Sequence, residues 1–170
     1  MPLGSVDNLY DGFKVFQVSR DEKGDARFNQ FWRVSENELL ETEKLLGFSI
    51  PCQLRRFYLE IGNGHLVTNI KGEFQDDYFN IFVDIERMVK FWKRTEVSFG
   101  YDPEIIDKDE LVFFDTGSYC YKVLRPFSDN PNAVYDPGDR KPISNSFNEF
   151  ILKLYENTTF YLDHEGVYED

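Results

Sequence analysis

Two consecutive amphipathic helices are predicted between positions 34 and 66, where apolar residues recur at helical spacing among polar ones. Ser35 and Glu38 can form a capping box at the start of the first helix, and Gly47 supplies the left-handed residue that ends it. Pro51 is expected to open the second helix. The apolar residues of the second helix repeat at i, i+3, i+4 and i+7, and they are Leu54, Phe57, Tyr58 and Ile61. Such a stripe predicts one buried face.

Shorter apolar runs in the middle of the chain predict β-strands. After a turn at 62–64, strands are expected at 66–70, 78–83, 111–114 and 119–124, with short ones at 133–136 and 142–144. Asp84 is expected to cap a third helix, and Ser146 with Glu149 a fourth. Leading helices, a cluster of strands and a closing helix are typical of a single α+β domain, with a mostly antiparallel central sheet and helices packed on one side.

The two ends of the chain are assigned separately. Residues 1–5, M-P-L-G-S, resemble the scar of a cloning linker and are left out of the fold prediction. Residues 6–33 contain two β-prone runs that predict an N-terminal β-hairpin extension. Residues 157–170 are acidic and predict a C-terminal tail. The main domain is therefore expected at 34–156.

The order of the helix signals, E-x-x-L-G-x-x-I-P-x-x-L-x-x-F-Y-x-x-x-G-N-G, resembles the N-terminal signature of the SUKH superfamily. The matching positions are Glu43, Leu46, Gly47, Ile50, Pro51, Leu54, Phe57, Tyr58, Leu59, Asn63 and Gly64. His65 replaces the usual second glycine of the turn. The later run I-S-N-S-F-N-E-F-I-L-K-L is similar to the closing helix of the family, through Ser146, Phe147, Glu149, Phe150, Ile151 and Leu154. The resemblance implies a SUKH-like α+β domain over 34–156.

The same resemblance implies a function in protein binding. Bacterial SUKH proteins are immunity proteins that neutralise polymorphic toxins, many of them nucleases, and fungal members are regulators of cell-wall synthesis and signalling. The expected function is therefore a non-enzymatic immunity protein that binds a cognate toxin. A regulatory interaction scaffold is the first alternative. A hydrolase that uses carboxylates of its loops is the second.

The composition limits the classes of partner. The 170 residues are 41% hydrophobic and 17% aromatic, enough for one packed core. The net charge of −12 repels nucleic-acid phosphates and anionic lipid surfaces, so neither nucleic acid nor membrane is an expected partner. An acidic surface attracts basic proteins, and a nuclease toxin must be basic to hold its substrate. A solvated surface that only confers solubility would have the same charge.

The cysteines and histidines give no signal for a metal or cofactor. Cys52 and Cys120 are expected to be reduced thiols of a cytoplasmic protein, because no apolar leader precedes them. His65 and His164 are far apart and neither is near a cysteine, so no zinc spacing exists. Cys52 is expected in the first turn of the second helix without a neighbouring base. We therefore predict no catalytic residue, no metal and no cofactor.

Acidic and aromatic residues occur together in the loops at 73–78 and 101–110. Paired carboxylates could act as acid and base in glycoside hydrolysis if they lay across a cleft. A docking surface for a cationic protein, with aromatic anchors among the charges, accounts for them better. The predicted partner-binding residues are Glu73, Phe74, Asp76, Asp77, Tyr78, Tyr101, Asp107, Asp109 and Glu110.

Overall fold

The structure, a computed structural model, describes residues 8–25, 27–74, 79–97, 101–117 and 120–164. Its strands are β1 (Gln30–Trp32), β2 (Asn63–His65), β3 (Ile81–Phe82), β4 (Leu111–Asp115) and β5 (Tyr121–Leu124). Its α-helices are α1 (Glu36–Leu46), α2 (Cys52–Glu60), α3 (Ile85–Trp92) and α4 (Phe147–Glu156). The strands form one sheet in the order β1-β2-β3-β4-β5, and each pair of neighbours is antiparallel. The α+β class with an antiparallel sheet is confirmed.

The predicted boundaries of the helices are confirmed at their caps. The Ser35 hydroxyl accepts a hydrogen bond from the Glu38 backbone, and the Glu38 carboxylate accepts one from the Ser35 N–H at 2.8 Å. Gly47 ends α1 with a φ of 86°. Pro51 occupies the N-cap of α2, one position before its first helical residue. The four predicted stripe residues of α2 are fully buried.

The predicted turn at 62–64 is wrong, because most of it forms β2. A Cβ on Gly62 would lie 1.9 Å from the Trp32 carbonyl oxygen, and one on Gly64 would lie 2.0 Å from that of Gln30. The two glycines therefore allow β1 to approach β2 more closely than any side chain would permit. Pairing with β1 and β3 then satisfies the backbone of β2 on both sides.

Helices cover both faces of the sheet at β4 and β5, where the sequence predicted one. Phe113 and Phe114 both pack against Phe150 of α4, because a β-bulge after Val112 turns these consecutive residues to the same face. Asp115 then points to the other face, where it forms an ion pair with Arg87 of α3. All nine residues of the two strands are buried.

The predicted N-terminal hairpin is also wrong. Asp11–Phe16 forms a 3₁₀-helix, and Gln17 makes a parallel bridge to β1. Phe13 is buried but Val15 is 77% exposed, so the apolar residues do not share the face that a strand requires. Tyr10 and Phe13 instead join the core at the three-residue spacing of the 3₁₀-helix.

The first part of the predicted C-terminal tail packs into the core through Phe160 and Tyr161. Phe160–His164 forms another 3₁₀-helix after α4. Phe160 is nearly buried and Tyr161 fully buried, and the Tyr161 hydroxyl donates a hydrogen bond of 2.5 Å to Asn80. Residues 165–170 lie outside the described part of the chain.

The core is centred on aromatic rings. The ring of Phe57 lies 5.0 to 5.9 Å, centroid to centroid, from five rings of four other segments. These rings belong to Tyr10, Phe13, Phe31, Phe82 and Phe147. Phe150 has a similar position among Phe113, Phe114 and Phe160. The helices and the sheet therefore share one core.

Removal of either central ring should destabilise the whole domain. Phe57→Ala or Phe150→Ala is expected to lower the free energy of unfolding by about 3–5 kcal/mol, because a large cavity remains. Phe28→Ala, at a position that is 57% exposed, is the control and should change it by less than about 0.5 kcal/mol. Denaturant titration measures all three, and equal small losses would show that these rings do not form the core.

Gly62→Ala should be far more disruptive than a similar change elsewhere. The added methyl group would overlap the Trp32 carbonyl, so β1 must separate from β2 at a cost of about 3 kcal/mol. Gly72 has a positive φ of 78° and open space around it, so Gly72→Ala should cost only about 1 kcal/mol of backbone strain. Thermal and chemical unfolding of both variants test the difference.

Candidate functional site

The predicted partner-binding loops are exposed at four described positions. Glu73, Phe74, Asp107 and Asp109 all face solvent, and the Phe74 side chain is 53% exposed. The backbone of Phe74 makes an antiparallel bridge to Thr68. Asp76, Asp77 and Tyr78 lie outside the described residues.

The two loops lie at opposite ends of β4. Asp107 and Asp109 directly precede this strand. The loop that contains Phe74 leads instead to Phe79, whose N–H donates to the Thr116 carbonyl just beyond the other end. A five-residue strand is about 17 Å long. The described acids of these loops therefore form two separate patches.

Glu110 is a structural residue and cannot contact a partner as the sequence predicted. It is 2% exposed, and its carboxylate accepts hydrogen bonds from Arg125 at 2.8 Å, Asp107 N–H at 2.9 Å and Gly138 N–H at 3.0 Å. Glu110 is the last residue before β4, so the strand carries it inward. Its carboxylate therefore connects three segments of the fold by hydrogen bonds.

Tyr101 packs toward the interior. Its ring lies 5.1 Å from Phe91 of α3 and 5.9 Å from Tyr121 of β5. Burial raises the pKa of Tyr101 above its usual value and raises the pKa of Tyr121 to about 12. Both hydroxyls stay protonated at neutral pH, and Tyr101 serves the packing of α3 on the sheet.

Cys52 and His65, the other residues considered for chemistry, contact neighbouring groups of the fold. Cys52 is exposed, with its Sγ 3.5 Å from Asn132 Nδ2. His65 Nε2 lies 3.0 Å from the Asp25 carbonyl oxygen, and the ring lies 5.9 Å from Trp32. Within the described ranges, no three metal-ligating side chains converge, and no helix is long and apolar enough to span a membrane.

A groove lies between α1 and α3. It has a volume of about 510 Å³, and its exposed surface is almost entirely apolar. The residues that line it are Asn37, Glu38, Glu41, Thr42, Leu45, Ile85, Glu86, Val89 and Lys90. They follow one stripe along each helix, so the α1–α3 groove runs along the helix pair.

Charged side chains form the rim of the α1–α3 groove. The hydrogen bond from Arg20 lowers the pKa of Glu38 to about 2, and the bond from Lys90 lowers the pKa of Glu86. Glu41 pairs with Lys44 at 2.5 Å. The carboxylates of Glu38 and Glu86 are therefore ionised at neutral pH. All three ion pairs are exposed, so charged groups of a partner can replace the lysines and the arginine at little cost.

Three aromatic rings lie at the C-terminal ends of the two helices. Phe48 follows α1, Trp92 ends α3, and Phe127 comes from the loop after β5. The Phe48 centroid lies 4.7 Å from Trp92 and 5.1 Å from Phe127. Phe127 is 67% exposed. Phe48 lies three positions after Leu45 and Trp92 three positions after Val89, so this aromatic cluster lies about one helical turn beyond these groove residues.

The sequence of residues 33–153 matches the SMI1/KNR4 family (SUKH-1). The chain belongs to this family. A protein of Bacillus subtilis (strain 168) named Immunity protein YxxD is 34% identical to it over 140 residues, which cover 79% of this chain and 89% of that protein. The resemblance to the SUKH superfamily is thus confirmed.

The α1–α3 groove and the aromatic cluster both lie within the SUKH-1 match, although sequence reasoning did not find them. Leu45 was the available signal, since it does not belong to the buried stripe of α1 and is 56% exposed. Apolar residues beside a buried stripe indicate a second contact surface. The partner helix α3 could not be inferred from α1 alone.

Glu110→Ala should destabilise this SUKH-1 domain, whereas Asp109→Ala should not. Loss of Glu110 leaves the mostly buried Arg125 without its carboxylate, which costs about 3 kcal/mol. The exposed neighbour Asp109 is a matched control and should change the free energy of unfolding by less than about 0.5 kcal/mol. Denaturant titration compares them, and equal values would contradict the structural role of Glu110.

Proposed function

We propose that this protein is an immunity protein that binds a cognate toxin and neutralises it stoichiometrically, without catalysis. The observation that carries the proposal is the 34% identity, over most of both chains, to a protein named as an immunity protein. Membership of the SUKH-1 family supports the same function. The fold offers a broad α1–α3 groove and exposed acidic loops for such a contact.

A nuclease is the class of toxin that the charge favours. A nuclease needs a basic surface to hold phosphates, and this chain has a net charge of −12. Opposite charges accelerate association and allow an inhibitor to occupy the surface that would bind nucleic acid. The exposed acids at both ends of β4 would contribute to this attraction from two directions.

The surroundings of the carboxylates do not favour the hydrolase alternative. A general acid in glycoside hydrolysis needs a raised pKa. In the described structure, every carboxyl group with a shifted pKa has it lowered, by an arginine or lysine partner. The regulatory scaffold also acts by binding, and the identity of the bound protein distinguishes it from an immunity protein.

A protection assay tests the proposed function. The toxin domain encoded beside the gene of this chain is expressed in a host from an inducible promoter, with or without this chain. Co-expression should restore growth, and the purified proteins should form a 1:1 complex. A host that dies equally fast with and without the chain, together with no complex, would overturn the proposal.

Acidic loop residues should govern the rate of association with the toxin. The variant with Asp76, Asp77, Asp107 and Asp109 all changed to Asn removes four negative charges, and we expect slower association and weaker protection. Its stability should be unchanged, which unfolding experiments check. For the wild type, association should slow as salt shortens the Debye length from about 10 Å at 0.1 M to about 3 Å at 1 M. If the variant and the wild type associate with the toxin at equal rates, the charges that accelerate association lie elsewhere on the protein.

A further inference from the structure

We propose that the α1–α3 groove is the docking site for an amphipathic helix of the toxin, with lysine or arginine residues beside its apolar face. This inference rests on the proposed immunity function and adds the surface and the chemistry of the partner. The groove, its rim and the aromatic cluster supply three independent parts of the argument.

The apolar surface of the groove requires a partner with apolar side chains. Leu45 is 56% exposed, and Val89 and Ile85 are only partly buried against the core. Together they present an apolar strip between the two helices. Contact with a second apolar strip would remove this surface from water.

The shape of the groove suits a helix. Its α1 wall extends from Asn37 to Leu45, about 12 Å along the helix axis. A third helix of two to three turns can lie between α1 and α3 with its i, i+3, i+4 and i+7 residues directed inward. The regular ridges of two adjacent helices are the surface against which such a helix packs.

The net charge of −12 favours basic residues beside the apolar face of that helix, and the rim offers three carboxylates for them to contact. Glu38 and Glu41 lie on one wall, and Glu86 lies on the other. Their exposed ion pairs with Arg20, Lys44 and Lys90 are weak, so charged groups of a partner can replace them. A second copy of this chain is a poor occupant, because both copies carry a charge of −12.

The aromatic cluster provides an anchor at one end of the groove. Tryptophan and other large aromatic residues contribute most to protein interfaces when they become buried there. Phe127 is 67% exposed and supported by Phe48 and Trp92, so its ring is held in place before a partner arrives. An aliphatic or aromatic residue at the end of the toxin helix would pack on this cluster.

The main experiment introduces a charge on the floor of the groove. Leu45→Glu and the matched control Leu40→Glu lie on the same helix with similar exposure, but only Leu45 lines the groove. Each purified variant is titrated with the inactivated toxin domain that the wild type neutralises in the protection assay. Leu45→Glu should bind about tenfold or more weakly, and Leu40→Glu within about twofold of the wild type.

A second pair of variants tests the charges of the rim. The double variant Glu41→Lys, Glu86→Lys reverses one charge on each wall of the groove. The control double variant, Asp139→Lys, Glu156→Lys, changes the net charge by the same amount at exposed positions outside the groove. The rim variant should lose about tenfold more affinity than the charge-matched control. Circular dichroism and denaturant unfolding confirm that every variant is folded.

Hydrogen exchange locates the contact directly. Toxin binding should slow amide exchange in α1 and α3 and leave β5 unchanged. If the wild type binds the toxin while Leu45→Glu and the rim variant bind equally well, the groove proposal is wrong and the immunity function stands. If the wild type neither binds nor protects, the proposed function itself fails. If Leu45→Glu instead abolishes a dimer in sedimentation experiments with toxin affinity intact, the groove joins two copies of this chain and the proposal is overturned.

Discussion

The contact of Phe57 with five surrounding rings is the interaction on which the rest of the fold depends. Its neighbours come from the N-terminal segment, β1, β3 and α4, which are widely separated in sequence. Three of the five contacts are nearly perpendicular, with interplanar angles of 84° to 88°. Edge-to-face packing fixes orientation as well as distance. These contacts therefore constrain how α2 lies against the sheet and α4.

The sequence predicted the helices much better than the strands, because the signals for helices are local. Ser35, Gly47 and Asp84 act on backbone groups within four residues, so a cap can be recognised without knowing the fold. The strands β1 to β3 have only two or three residues each, and their pairing is decided by distant partners. The glycines of β2 illustrate the difficulty: the same residues suit a turn, and only the approach of β1 explains them.

The candidate surfaces show a similar division between local and distant information. Exposed acids at 107 and 109 could be inferred from composition, but their neighbour Glu110 is buried because β4 begins directly after it. The α1–α3 groove depends on two helices that are separated in sequence by α2 and two strands. No pattern within either helix indicates the other. An exposed leucine beside the buried stripe of α1 was the local indication of the groove.

The segments outside the family match contribute buried side chains to the core. The match ends at residue 153, whereas Tyr10, Phe13 and Tyr161 are among the largest fully buried side chains of the molecule. The family match therefore covers a shorter stretch of chain than the folded domain does. A fragment cut to the signature would expose the rings of Phe57 and Phe114 that these residues cover. In this protein, the segments that flank residues 33–153 are therefore part of the unit that must fold.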